Sequence, residues 1–234
     1  MNNSTLHTKF EQQYISLRQK EGRLYTDEEV KRLPVVHHKH PLKKEWVARK
    51  KSCDRLIHYL LQKRKPLNIL EIGCGNGWLC HQLSKIPDTS ITGIDINELE
   101  LNQAKRVFPA LSFLYGDLRE GITTGKFDVI VFAASFQYFD SVDEILQCCF
   151  EHLKENGEIH IIDTHFYSRE ASVQARIRSC EYFASKGIPE MSKYYFHHAL
   201  SELDGFNYTV LYDPKKLFNK LFGRNPFRWI CIRK

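Results

Sequence analysis

No part of this sequence approaches the roughly 20 consecutive apolar residues that a membrane-crossing helix needs; apolar stretches such as Phe127–Ala134 stop far short of it. No apolar core follows the opening MNNSTLHTKFEQQY, so a secretory signal is not expected. Cysteine occurs 7 times, an odd number, and never as a CxxC pair. Cys148 and Cys149 are adjacent, which suits neither a disulfide framework nor a zinc ribbon, and a reducing cytoplasm is the expected home. Low-complexity tracts and internal repeats are missing too. With 42% hydrophobic and 12% aromatic residues, global disorder is excluded as a description of the chain. A large excess of one charge is also lacking: 34 basic against 28 acidic residues leave +6, well short of a dedicated nucleic-acid binder.

What is present is a 234-residue chain, long enough for one domain with additions. Basic residues and histidines crowd into His37–Lys51 and again into Lys215–Lys234. Each cluster reads either as solvated surface or as a rim that attracts an anionic substrate or acidic partner. Residues 1–44 read as a helical appendage or lid, with Thr26-Asp-Glu-Glu29 as a capping box and Pro34 closing the short helix it opens. Trp46, Cys53, Leu56, Ile57, Leu60 and Leu61 then share one face of a longer helix that ends before Pro66.

From residue 67 short apolar strands alternate with helices. Strands are expected at Leu67–Ile72, Ser90–Ile94, Leu111–Tyr115, Phe127–Ala133 and Gly157–Asp163. Helices are expected at Trp78–Ile86, from the Asn97/Glu100 cap to about Val107, and from the Ser141/Glu144 cap to about Lys154. That alternation predicts an α/β domain, 45–234, with a mostly parallel sheet covered on both faces. After Asp163 the rhythm changes. Ser168–Lys186 is expected as a helix with Val173, Ile177, Cys180 and Ala184 inward, inside an insertion of about 164–204. Phe206–Tyr212 alternates, placing Phe206, Tyr208, Val210 and Tyr212 on one face, and Phe227–Ile232 closes the chain as a strand able to pair antiparallel with it.

The most informative segment is Glu71-Ile-Gly73-Cys74-Gly75-Asn76-Gly77-Trp78, a glycine-rich turn between a strand and a helix. A P-loop would need Gly-Lys-Ser/Thr after it, and none follows. The dinucleotide fingerprint would need glycine or alanine where Trp78 stands. A GxGxG loop preceded by an acid resembles motif I of the class I S-adenosylmethionine (SAM)-dependent methyltransferases. The resemblance runs from about Asn68 to Asp163, with companion motifs in order at Thr92-Gly-Ile-Asp95-Ile96, Gly116-Asp117-Leu118 and Phe127–Ala134.

The resemblance implies a three-layer Rossmann-like fold whose seven-stranded sheet is mostly parallel with an antiparallel last strand. It implies SAM as cofactor and S-adenosylhomocysteine (SAH) as product. Glu71, Gly73, Cys74, Gly75, Asn76 and Gly77 would line the amino-acid end of SAM. Asp95 would accept from the ribose hydroxyls, because two carboxylate oxygens match a vicinal diol. Ile96, Asp117 and Leu118 would meet adenine, Ala133 would lie beside the sulfonium, and Arg49 would fork onto the SAM carboxylate, with Tyr14 and Arg18 as further contributors. Each acid taken alone also reads as a helix cap or a structural acceptor.

Methyl transfer from a sulfonium asks for alignment, plus a base when the nucleophile holds a proton. An Asn/Asp-Pro-Pro-Tyr/Phe signature of amino-methylating enzymes is absent, and Ser135–Phe139 looks more like small-molecule methyltransferases. His165 is the candidate base and Tyr138 a second catalytic candidate; Gln137, Tyr194, Tyr195 and His197 are candidate acceptor contacts. The plain alternatives are a structural strand-end histidine and aromatic core packing. The His37-His38-Lys39-His40 run cannot converge on one centre, so no metal is expected. The expected partner is a small-molecule acceptor methylated by direct displacement, without membrane insertion. RNA, a nucleotide, or a non-catalytic SAM-binding role are the alternatives, and a nucleic-acid partner is not expected.

Overall fold

The computed structural model describes residues 3–217, 219 and 225–234, with side chains described from residue 8. Lys220 and Arg224 of the second basic cluster lie outside the described residues. Helices α1 (Asn3–Lys20), α2 (Asp27–Arg32) and α3 (Lys43–Leu61) precede the sheet. Then follow β1 (Leu67–Ile72), α4 (Trp78–Leu83), β2 (Thr89–Asp95), α5 (Glu98–Val107), β3 (Ser112–Tyr115) and β4 (Phe127–Ala133). The chain continues through α6 (Val142–His152), β5 (Leu153–Ile162), α7 (Arg169–Ser185), β6 (Asn207–Tyr212) and β7 (Trp229–Arg233).

The strand order is β3-β2-β1-β4-β5-β7-β6. β1 to β5 pair in parallel, and β7 runs antiparallel to both β5 and β6. The three-layer α/β sheet with a reversed last strand is therefore as expected. Its layers follow from period-two alternation along strands buried on both faces. Along β4, Val129 and Val131 join a core with Leu56 and Leu60 of α3 and Leu79 of α4. Ile130 and Phe132 point the other way, toward Ile145, Leu146 and Cys149 of α6.

Local chemistry sets the helix starts. Thr26 and Glu29 form the reciprocal capping box, while Asn97 and Ser141 each accept from the backbone N–H three residues on. A third cluster lies beyond the sheet, where Leu17 of α1 packs with Phe183, Ile188 and Met191, flanked by Phe10, Tyr14, Tyr138, Tyr194 and Tyr195. It ties the N-terminal helix to the segment after β5.

Three expectations are corrected. In α7 the inward residues are Ala175 and Phe183, whereas Val173 is 57% and Ile177 47% exposed, and Cys180 and Ala184 face solvent. The helix rests on the aromatic cluster through one narrow i, i+4, i+8 stripe, Ala175-Ser179-Phe183, so its broader apolar side stays outside. In β6 the pairing register shifts between Val210 and Tyr212, and Tyr212 joins the α3 side while Tyr208 remains on the other. A one-residue slip of this kind exchanges sheet faces. Leu61, at the end of α3, is exposed rather than inward. Element ends differ modestly: α4 stops at Leu83, β5 begins at Leu153, and β7 begins at Trp229. Among the described residues no helix is long and apolar enough to cross a membrane.

Candidate active site

The parallel strands deliver their C-terminal ends to one edge, where α/β sheets hold ligands. After β1 the chain turns through Gly73 at φ 72°, with its N–H donating to Ile94 O at 2.8 Å. A side chain there is excluded, because a Cβ would stand 2.4 Å from Ser135 Cβ. The Gly75 N–H donates to Asp95 Oδ2 at 2.6 Å, and the Asn97 N–H donates to Oδ1 at 2.7 Å, so the acid at the end of β2 braces the loop from beneath. Burial, then the Glu100 carboxylate, raises the Asp95 pKa to about 7. Glu71 is more enclosed still. Burial lifts it to about 8, with the Cys80 thiol donating to its Oε2 at 2.9 Å.

Two cavities open at this edge. One, of about 150 Å³, is lined by Asp95, Ile96, Asn97, Asp117, Leu118 and Tyr194, among others. The other, of about 330 Å³, is lined by Arg49, Glu71, Gly75, Asn76, Ala133 and Asp163, and reaches His165, Tyr195 and Phe227. Among the described residues only Tyr14, Gly73, Ala134 and Tyr138 line both. Two strand ends here adopt left-handed backbone without glycine, Ala134 at φ 56° and Asp163 at φ 55°, a conformation that clusters at functional sites.

The remaining candidates divide. Arg49 faces the larger cavity with Nε on Glu45 at 3.1 Å and its guanidinium 5.2 Å from the Trp46 ring centre. Asp117 receives both Nε and Nη2 of Arg119, the latter at 2.7 Å. Cys74 lines the larger cavity, and burial raises its thiol to about 11, so it is no thiolate nucleophile at neutral pH. His165 stands at the cavity rim against Phe227, ring centres 4.6 Å apart, and partial burial, then Arg228, lowers its pKa. Burial raises the Tyr138 pKa, so its hydroxyl keeps its proton.

Two candidates stand outside both cavities. Gly77 lines neither cavity; a Cβ there would meet Phe113 Cζ at 2.7 Å, so this glycine lets α4 pack against β3 and α5. His197 also lines neither. Its Nε2 lies 2.8 Å from Ser179 Oγ on α7, and burial, then His198, takes its pKa down to about 4. Gln137 does reach the larger cavity, yet its amide donates to Ala134 O at 2.6 Å and accepts from Thr164 Oγ1 at 2.9 Å, holding β4 to β5.

Sequence reasoning missed Glu100 as a site residue and took it only as part of a helix cap. It is buried, lines the larger cavity, and accepts from Tyr14 Oη at 3.3 Å and Arg18 Nη2 at 3.2 Å. A buried acid in the first turn of an amphipathic helix carries no local signal of its partners. Asp163, at the end of β5, accepts from Ser52 Oγ at 2.5 Å and is raised to about 6 by burial.

Among the described residues the only metal-like grouping is Glu158, His160 and Cys231, buried away from both cavities. Lys63 at 2.7 Å and Arg233 at 3.0 Å already neutralise Glu158, and two cations at that carboxylate oppose a third.

A family model described as a methyltransferase domain matches residues 46–211. The chain belongs to the class I SAM-dependent methyltransferases. Malonyl-(acyl-carrier protein) O-methyltransferase of Halalkalibacterium halodurans is 34% identical over 123 residues, 47% of this chain and 45% of that protein. Trans-aconitate 2-methyltransferase of Deinococcus radiodurans is 28% identical over 109 residues, 46% of this chain and 42% of that protein. The chain thus spans less than half the length of the curated relatives it matches.

Two solved structures extend the likeness in fold to nearly every residue. Magnesium protoporphyrin IX methyltransferase of Synechocystis PCC 6803, with bound SAH, superposes with a TM-score of 0.62 at 12% identity and covers 100% of both chains. The plantazolicin methyltransferase–SAH complex gives 0.59 at 18% identity, covering 99% of this chain and 98% of that one.

SAM is the cofactor of this family, and the residues at the sheet edge fit it. Asn97 Nδ2 and Arg18 Nε are buried without a hydrogen-bond partner, on the walls of the smaller and the larger cavity respectively. Buried donors of this kind call for an acceptor.

Proposed function

We propose that this methyltransferase transfers a methyl group from SAM to a small-molecule acceptor by direct displacement, releasing SAH. The observation that carries the reading is the pair of cavities meeting at Gly73, Ala134, Tyr14 and Tyr138. One has the residue types that suit an adenosine and the other those that suit an amino acid. In this reading Asp95 accepts from the ribose hydroxyls, Ile96 and Leu118 pack against adenine, and Asp117 faces its amino group. Glu71, Gly73, Cys74, Gly75, Asn76 and Ala133 enclose the amino-acid end, where Arg49 offers its fork to the carboxylate. Gly77 supports that loop from behind.

The sulfonium of SAM supplies an activated methyl group. The protein's part is alignment and the handling of any proton on the acceptor. Tyr195 and His165 lie farther along the larger cavity and meet the acceptor there. A lowered pKa keeps the His165 ring neutral at pH 7, the form that takes up a proton. Tyr138 keeps its own proton and so positions rather than deprotonates. Seven free cysteines suit a reducing cytoplasm. A nucleic-acid acceptor has less support, because Lys50 of the first basic cluster is already ion-paired with Asp54 and Arg49 faces the cavity.

The test is a turnover screen: SAM with a panel of metabolites and carrier-borne acyl groups, read as a gain of one methyl in the product's mass. Alongside it, SAH should raise the melting temperature by mass action while NADP at equal concentration does not. Stabilisation by NADP alone would remove the assignment.

A further inference from the structure

Adenosine and methionine are joined through sulfur, so whatever lines both cavities lies nearest to it. Two of the four shared residues, Gly73 and Ala134, contribute little beyond backbone; the other two are tyrosines. Their rings meet edge to face, centres 5.6 Å apart and planes at 88°. Tyr138 is held from further sides by Phe10 and Tyr195, each at 5.6 Å, and its N–H donates to Ser135 O at 3.0 Å. The Arg18 guanidinium already lies 5.6 Å from the Tyr14 ring centre, whereas among the described residues no cation lies over the Tyr138 ring.

We propose that Tyr138, with Tyr14 beside it, forms an aromatic corner that holds the positive sulfonium, so that the site distinguishes cationic SAM from neutral SAH. The inference rests on reading the two cavities as one SAM site. A desolvated cation on an aromatic face is attracted by the ring quadrupole, whereas a thioether gains only dispersion. Burial keeps both phenols protonated, so the attraction belongs to the ring and not to a phenolate. Tyr138 is then a positioning residue, setting where the sulfur stands relative to the acceptor side of the cavity.

The test measures affinity for SAM and for SAH separately, by calorimetry without acceptor, in the full chain. Tyr138→Phe should retain the wild-type ratio of the two constants. Tyr138→Leu should shift that ratio against SAM by about tenfold. Mono-, di- and trifluorinated counterparts of Tyr138→Phe drain the ring of π density at nearly constant shape, so the ratio should fall stepwise along that series, even if Tyr138→Leu does not fold. An unchanged ratio across the fluorine series overturns the proposal, as does a Leu variant that weakens SAM and SAH equally. Failure of the wild type to bind either compound is a different result and removes the SAM-site reading itself.

Discussion

Replacing Asp95 by Asn tests whether the acid at the end of β2 serves the cofactor or only the loop. Its carboxylate receives the Gly75 N–H at 2.6 Å and the Asn97 N–H at 2.7 Å. Asparagine keeps one acceptor oxygen and turns an NH2 group toward the other donor. One buried N–H thus loses its partner, which costs about 1–3 kcal/mol of stability. The ribose side is separable. Two hydroxyls donating to a carboxylate make charge-assisted bonds worth about 1.5–3 kcal/mol each, and an amide retains at most one of them in weaker form. The SAH dissociation constant should therefore rise by roughly 30- to 1000-fold. Calorimetry with SAH and with its 2′-deoxy analogue makes the cycle decisive: the analogue should be weak on wild type and little weaker on Asp95→Asn. If Asp95→Asn melts earlier yet binds SAH within threefold of wild type, Asp95 is a loop brace and the ribose assignment fails. Asp95→Glu should fall between the two.

Glu71→Gln should leave stability at pH 7 within about 1 kcal/mol, because a carboxyl raised to about 8 is already protonated there; a loss of several kcal/mol in chemical denaturation would show that it is ionised. Glu71, Asp95 and Asp163 are all raised in the folded state, so their contribution is complete below the ordinary carboxylate range and is lost as pH rises through about 6 to 8. The ligand-free melting temperature should decline across that window, and Asp95→Asn together with Glu71→Gln should flatten the decline. Removing residues 1–44 should weaken SAH binding at least tenfold, since Tyr14 and Arg18 leave with them; unchanged affinity would make the segment a decoration. His165→Gln should lower kcat for a protonated acceptor while leaving SAH affinity alone, and a fall in SAH affinity instead would place His165 in the cofactor pocket.

The strands were legible because their chemistry is local. β1 and β4 are short apolar runs with both faces covered, and their limits coincide with the apolar residues. The caps at Thr26, Asn97 and Ser141 were legible for the same reason, since donor and acceptor lie three residues apart. α7 was not, because what decides its inward side is distant in sequence. Its support is an aromatic cluster assembled from α1 and the segment around Met191, and that support is narrow enough to leave Val173 and Ile177 outside. The setting of His197 was hidden in the same way: a histidine near a predicted pocket cannot announce that Ser179 meets its ring.

The acids at the strand ends show the same division within the site. Glu71, Asp95 and Asp117 sit at fixed distances from a turn, so sequence spacing could find them. Their electrostatic state could not be found that way, because it depends on what encloses them. Asp117 receives the guanidinium of Arg119, two residues away. Among the described residues Asp95 has no such partner and instead sits near buried Glu100, whose own partners, Tyr14 and Arg18, arrive from the first helix. An acid beside an acid holds its proton more tightly, so the Glu100 charge weakens Asp95 as an acceptor for ribose below neutral pH. Arg18 offsets part of that repulsion by pairing with Glu100. Replacing Arg18 by Met should therefore move the pH midpoint of SAH binding upward, with affinity recovering at higher pH, because the Asp95 carboxylate would ionise later. An isotherm series from pH 5.5 to 9 measures it. A loss of affinity that is the same at every pH, with no shift of the midpoint, would mean that Arg18 acts only by its own contact with the ligand and not through Glu100 on Asp95.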